Sequence, residues 1–150
     1  MIASQLSIFA ENKPGKLAAV THILAQEGIN IRATTISASD TFGVINLIVD
    51  YPQKALESLT RAGMLAKLRQ VLAVLLDRRP GGLDNLAQLL AKEGINVNNA
   101  YSFVLENQVK AVFVIDVDQL EKAEKIIEEN GFQTLGPDIL SVVNPTHVIP

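Results

Sequence analysis

The chain reads as an α+β protein of two tandem βαββαβ units, each a four-stranded antiparallel sheet with two helices on one face. Residues 5–50 align without a gap to residues 71–116 with eleven identities, so one supersecondary unit is used twice. Within each copy, short apolar or alternating runs flank stretches of helical spacing, and Pro, Gly, Asn or Asp stands at the junctions. Right-handed crossovers leave few other topologies for that order.

The elements follow in sequence. Gln5–Phe9 alternates polar and apolar residues and enters a polar turn, Glu11-Asn12-Lys13-Pro14-Gly15. Leu17, Val20, Ile23 and Leu24 then recur at helical spacing, with Pro14 suited to the first helical turn and Gly28 to the stop. The second copy repeats this punctuation as Pro80, Leu83, Leu86, Leu89, Leu90 and Gly94. Ile29-Asn30-Ile31 and Ile95-Asn96-Val97 open second strands expected to end near Ser39 and Leu105. Asp40-Thr41 and Glu106-Asn107 mark turns into apolar strands at Gly43–Val49 and Val109–Ile115. Pro52 begins another helix, with Leu56 and Leu59 inward and Gly63 after it. Asp118 followed by Glu121 resembles a capping box for the last helix, which carries Leu120, Ala123, Ile126 and Ile127 to Asn130-Gly131. Final strands are expected near Leu65–Gln70 and Asp138–Val143. The units are therefore residues 1–70 and 71–144, with 145–150 as a tail. No flexible linker separates them.

Composition narrows the function classes. A net charge of −3, five Phe, two Tyr and no Trp give no basic, aromatic-rich footprint for nucleic acid. The absence of cysteine removes disulfides, thiolate nucleophiles and thiolate metal ligands. With no secretory leader pattern and no run of the roughly eighteen apolar residues a membrane span needs, a soluble cytoplasmic protein is expected, without membrane partners.

Glu-Asn-Lys-Pro-Gly-Lys-Leu at residues 11–17, followed eleven residues after Leu17 by Gly-Ile-Asn-Ile, resembles the amino-acid-binding regulatory ACT domain. The likeness covers nearly the whole chain as two ferredoxin-like ACT units and is similar in detail to stand-alone tandem ACT proteins. It implies a non-catalytic regulator that binds a free amino acid where this loop meets another ACT domain and modulates enzymes of amino-acid metabolism, with Asn12 and Asn30 flanking the ligand.

The loop has physical grounds for that role. Backbone N–H groups at Gly15, Lys16 and Leu17 open a helix and carry the positive end of its dipole, where a small carboxylate can dock. Gly15 admits close approach, and Asn12 offers an acceptor for an ammonium and a donor for a carboxylate. The candidate ligand-binding residues are Glu11, Asn12, Lys13, Pro14, Gly15, Lys16, Leu17, Asn30, Ile31 and Asn96, with Asn30 expected at the same end of the sheet as the loop. A helix cap is the competing reading of Asn12, and an ordinary turn residue that of Asn30 and Asn96. The second copy departs from the pattern: Arg78 replaces Asn12, Gly82 replaces Lys16 and Asp77 replaces Glu11. A guanidinium clamps a carboxylate but accepts nothing from an ammonium, so the second loop should not bind an amino acid in the same way. Ala10 stands where some serine-binding ACT domains carry a histidine.

Catalysis, cofactors and metals find no support. His22 and His147 lie far apart without a Ser or Cys partner, and neither metal-ligand spacing nor a dinucleotide or phosphate loop is present. Glu121, Glu124, Glu128 and Glu129 interleave with Lys122 and Lys125 as a solvated helix face. Acylphosphatases share the βαββαβ order, but their Arg-containing phosphate loop is not recognisable near the first strand. The alternative to a sensor is a ligand-independent oligomerisation or protein-interaction module. A homodimer is expected, because joining ACT sheets through their second strands within one chain would require crossing roughly 29 Å, six strand spacings of about 4.8 Å. In that dimer the first loop of one chain faces an ACT unit of the other, and the second unit serves mainly as packing partner.

Overall fold

The computed structural model describes residues 1–104 and 110–137. Its contacts form two compact units, Ser4–Arg69 and a second that joins Met1–Ala3 to the residues from Gln70 onward. The expected boundary after residue 70 thus lies one residue from the observed division, while Met1–Ala3 fall on its other side.

In the first unit the elements are β1 (Ala3–Glu11), α1 (Lys16–Gln26), β2 (Ile31–Ser39), β3 (Phe42–Val49), α2 (Pro52–Arg61) and the start of β4 (Leu65–Asp77). The strand order is β2-β3-β1-β4. β3 pairs antiparallel with both β1 and β2, in a register that sets Ala10 and Ala38 opposite Gly43 and Ile8 and Ile36 opposite Ile45. Strand alternation turns Leu6, Ile8, Ile45 and Leu47 toward Val20, Leu24, Ala55 and Leu59 of the helices to form the core. Full burial of each Leu or Ile stabilises by ~1.5–3 kcal/mol. The other face carries a buried polar row: Gln5 Nε2 donates to Ser7 Oγ at 3.2 Å, and Ser7 Oγ donates to Asn46 Oδ1 at 2.8 Å. These mutual bonds offset the desolvation of three polar side chains.

The second unit contains the rest of β4, α3 (Gly82–Lys92), β5 (Val97–Val104), β6 (Lys110–Val117), α4 (Leu120–Glu129) and β7 (Thr134–Leu135). β6 pairs antiparallel with β4 and β5, and β7 pairs with β4 at Ala73 and Val74. Its core joins Leu72, Val74 and Ile115 to Leu86, Leu90 and Ile127, with Ile2 packed against it.

Several local expectations change. β4 runs unbroken through the expected boundary, so one strand serves as the last of the first unit and the first of the second. Pro14 and Pro80 precede their helices by two residues, because Gly15 and Gly81 occupy the N-cap positions with φ of 91° and 97°. The capping box does not form: Gln119 is the N-cap of α4 without a side-chain bond, and Asp118 Oδ1 accepts from Asn98 Nδ2 instead. The strand expected at 138–143, the tail with His147, and the expected strand limits at Leu105 and Val109 lie outside the described residues.

Candidate functional site

The turn between β1 and α1 is built around Gly15. A left-handed φ costs an L side chain roughly 1–2 kcal/mol, and glycine avoids it. The helix therefore opens at Lys16. The Lys16 N–H turns back toward Lys13 O at a marginal 3.5 Å, whereas those of Gly15, Leu17 and Ala18 have no backbone acceptor among the described residues. Ala19 is the first to bond into the helix, donating to Gly15 O at 2.9 Å. The free donors at the dipole end are thus shifted from Lys16 to Ala18, and an anion can still be received there.

Asn12 caps nothing. Its backbone N–H donates to Thr41 O at 2.8 Å and its Nδ2 to Asp40 O at 3.2 Å, which ties the loop to the β2–β3 turn. In that turn Asp40 adopts a positive φ of 43°. The amide donor is committed, and Oδ1 is left to accept, with no partner among the described residues. Beside it, Glu11 and Lys13 form an exposed ion pair at 3.2 Å.

Next to the loop lies a hollow of about 120 Å³, lined by Ala10, Glu11, Asn12, Lys13, Lys16, Leu17, Ile36, Ala38, Gly43 and Ile45. Leu17, an identity of the repeat placed by spacing on the inner face of α1, is 40% exposed and lines this hollow instead of the core. Ile36 is 54% exposed at the opposite wall. Ala10, Ile36, Ala38 and Gly43 were not foreseen as site residues. The signal was present in the two-residue turn Asp40-Thr41, which fixes the register that brings them together.

Asn30 and Ile31 are not part of this constellation. Asn30 donates from its backbone N to Asp50 Oδ1 at 3.0 Å and from Nδ2 to Asp50 Oδ2 at 2.9 Å, at the entry of β2 and the exit of β3. The loop contacts the far end of the same hairpin, so Asn30 lies at the opposite end of the sheet, about 26 Å away along eight strand steps. The expectation of a shared end confused strand entry with strand exit. Ile31 packs against the first core. Asn96 bonds Asn98 Oδ1 at 2.9 Å and belongs to the same end of the second unit. His22 is exposed on α1.

The second loop is chemically different. Arg79 donates from its backbone N to Asp77 Oδ1 and from its guanidinium to Asp77 Oδ2. These bonds lower the Asp77 carboxyl to about 2 and raise Arg79. Arg78 is exposed, on a hollow of about 370 Å³ with Leu83, Ser102 and Phe113. A Cβ on Gly82 would stand 2.1 Å from Asp77 O, so this turn excludes a side chain where the first loop carries Lys16. Among the described residues no group of three or more His, Cys, Asp or Glu could hold a metal ion, and no helix is long and apolar enough to cross a membrane.

A family model for an ACT domain pair matches residues 1–143. A solved protein from Bacteroides thetaiotaomicron is 34% identical over 93% of this chain and 96% of its own, with a TM-score of 0.87. The ligand-free regulatory subunit of aspartate kinase from Thermus thermophilus shares the fold at 21% identity, covering 87% of this chain and 97% of its own, with a TM-score of 0.58. Its counterpart from Thermus flavus gives 21%, 85%, 95% and 0.54 for the same measures. No curated protein sequence matches the chain. A repeated Pro-Gly-x-Leu turn, the β2-β3-β1-β4 order of the first unit and a family match over nearly every residue agree, and the chain belongs to the ACT domain pair family.

Proposed function

We propose that the chain is a non-catalytic regulator that binds a free amino acid beside Asn12–Leu17 and biases an enzyme of amino-acid metabolism. The observation that carries this reading is the hollow beside the β1–α1 turn, lined by Asn12, Lys16 and Leu17, where Asn12 Oδ1 and the Leu17 N–H have no partner among the described residues. The α-carboxylate sits on those N–H groups, and the ammonium donates to Oδ1. Glu11, Lys13 and Lys16 form the charged rim, and Pro14 and Gly15 shape the turn. A ligand shifts a partner only by its differential affinity for two states of that partner, so the effect is a coupling free energy between sites. Regulatory subunits of aspartate kinase have this fold. We take a cytoplasmic metabolic enzyme as the partner class.

The separation of Asn12 from Asn30 supports a homodimer in this reading. Within one unit the two cannot flank one molecule. Across a twofold that pairs two β2 edges antiparallel, the loop of one copy meets the β2 entry of the other, and two equivalent sites result. Ile31, beside Asn30, then stands near the ligand of the other copy; Asn96 would do so only if the second unit supplies that wall.

Titration calorimetry of the full chain against the twenty amino acids tests the proposal. Asn12→Ala should weaken binding by about 1–3 kcal/mol, the cost of leaving a buried ammonium unpaired, and Arg78→Ala much less. Equal losses would make the two loops equivalent sites. A strict monomer in light scattering, with and without the bound amino acid, removes the dimer. The alternative, an assembly module without a small ligand, draws on the exposure of Phe42 at 65% and Leu65 at 69%. It predicts dimerisation with no heat from any amino acid.

A further inference from the structure

We infer that the amino acid held by the first loop carries a short aliphatic side chain; this rests on the binding mode proposed above and names its substrate class. Polar groups line only the rim of the hollow, and each has a use there. Glu11 and Lys13 neutralise one another at 3.2 Å. Asn12 Oδ1 and the helix N–H groups take the ammonium and carboxylate, with Lys16 beside the carboxylate. The remaining lining residues are Ala10, Leu17, Ile36, Ala38, Gly43 and Ile45, and none offers a side-chain donor or acceptor. Ser37, the nearest hydroxyl on β2, pairs with Val44 in the register and so projects from the opposite face. Beyond Glu11, Asn12, Lys13 and Lys16 no side chain of this lining can pair with a ligand hydroxyl, amide or second charge, so such groups gain less there than an alkyl group does.

Size points the same way. A hollow of about 120 Å³ is small beside the clefts of roughly 300–1,000 Å³ that take drug-sized ligands, which suits a side chain of a few carbons. Leu17 and Ile36, both large and substantially exposed, are the surfaces such a chain would cover. The three small residues Ala10, Ala38 and Gly43 keep the space open. A Cβ on Gly43 would come within 3.2 Å of Ser37 O.

The test is calorimetry of the full chain with each of the twenty amino acids. Valine or leucine should bind tightest, threonine, the isostere of valine, about 10–100-fold more weakly, and aspartate and lysine without measurable heat. Ala38→Leu, at an exposed position, should reduce valine affinity at least about tenfold by filling the hollow, with light scattering checking that the oligomeric state is kept. Ile36→Thr should narrow the gap between valine and threonine. Tightest binding by threonine, serine, aspartate or lysine, still lost in Asn12→Ala, overturns the aliphatic assignment and leaves the amino-acid reading standing. Binding by none of the twenty amino acids overturns both.

Discussion

Two residues of the second loop explain why the repeat is not symmetric. Gly82 is required because its backbone passes so close to Asp77 O that a Cβ would collide. Gly82→Ala should therefore destabilise by about 1–3 kcal/mol, the usual cost of forcing a backbone shift, while Lys16→Ala should be nearly neutral in thermal melts. Asp77 itself is held well below the ordinary carboxylate range, to about 2, first by its bond from the Arg79 side chain. A depressed folded-state value means that the stabilisation is present above the ordinary carboxylate pKa and is lost as pH falls toward about 2. The pair is exposed, so salt weakens it. Carboxyl carbon shifts followed by NMR should give a midpoint near that value, and Arg79→Ala should raise it only in part, because the backbone N–H of residue 79 still donates to the carboxylate.

The helices show what periodicity can and cannot reveal. Spacing alone grouped Leu83 with Leu86 and Leu90 on one face of α3, yet Leu86 and Leu90 are core while Leu83 is 50% exposed. Leu86→Ala should cost ~2–5 kcal/mol and Leu83→Ala less than about 1, a contrast that urea unfolding resolves. The reason is geometric: Leu83 and its counterpart Leu17 stand in the first turn of their helices, beside the loop and outside the two core clusters. The βαββαβ order, the Asp40-Thr41 turn and the stops at Gly28 and Gly94 were all legible, because each rests on local chemistry. The helix starts were read two residues early, since the positive φ of Gly15 and Gly81 depends on the loop's own bonds. Asn12, Lys13, Lys16 and Leu17 stand together on the hollow, whereas Asn30 lies at the other end of the sheet, because the crossover through α1 makes β1 and β2 parallel and puts the β2 entry opposite the loop. Ile36 and Ala38 escaped notice because edge-strand residues show their neighbours only through register.

At the scale of the whole chain, the first unit is the contiguous segment Ser4–Arg69, whereas the second is assembled from two separate stretches of sequence. Ile2 packs against the second core, and Met1–Ala3 are grouped with residues some seventy positions and more downstream. Removing residues 1–3 should therefore lower the stability of the second unit. Hydrogen exchange should show faster opening of β6 and α4 than of β3 and α1, and equal loss of protection in both units would contradict this placement. The same arrangement fixes an order of events during synthesis. Ile2 and Ala3 leave the ribosome before Phe113, Leu120 and Phe132 have been translated, so these early residues must wait for most of the chain before they find their neighbours. The contact of Ile2 with the second core closes a loop across the whole first unit, which delays the last step of folding relative to a protein built from two independent halves. A nascent chain stalled after residue 70 can assemble the first hollow, but Ile2 would be without the core it packs against, offering chaperones and proteases a handle until translation resumes.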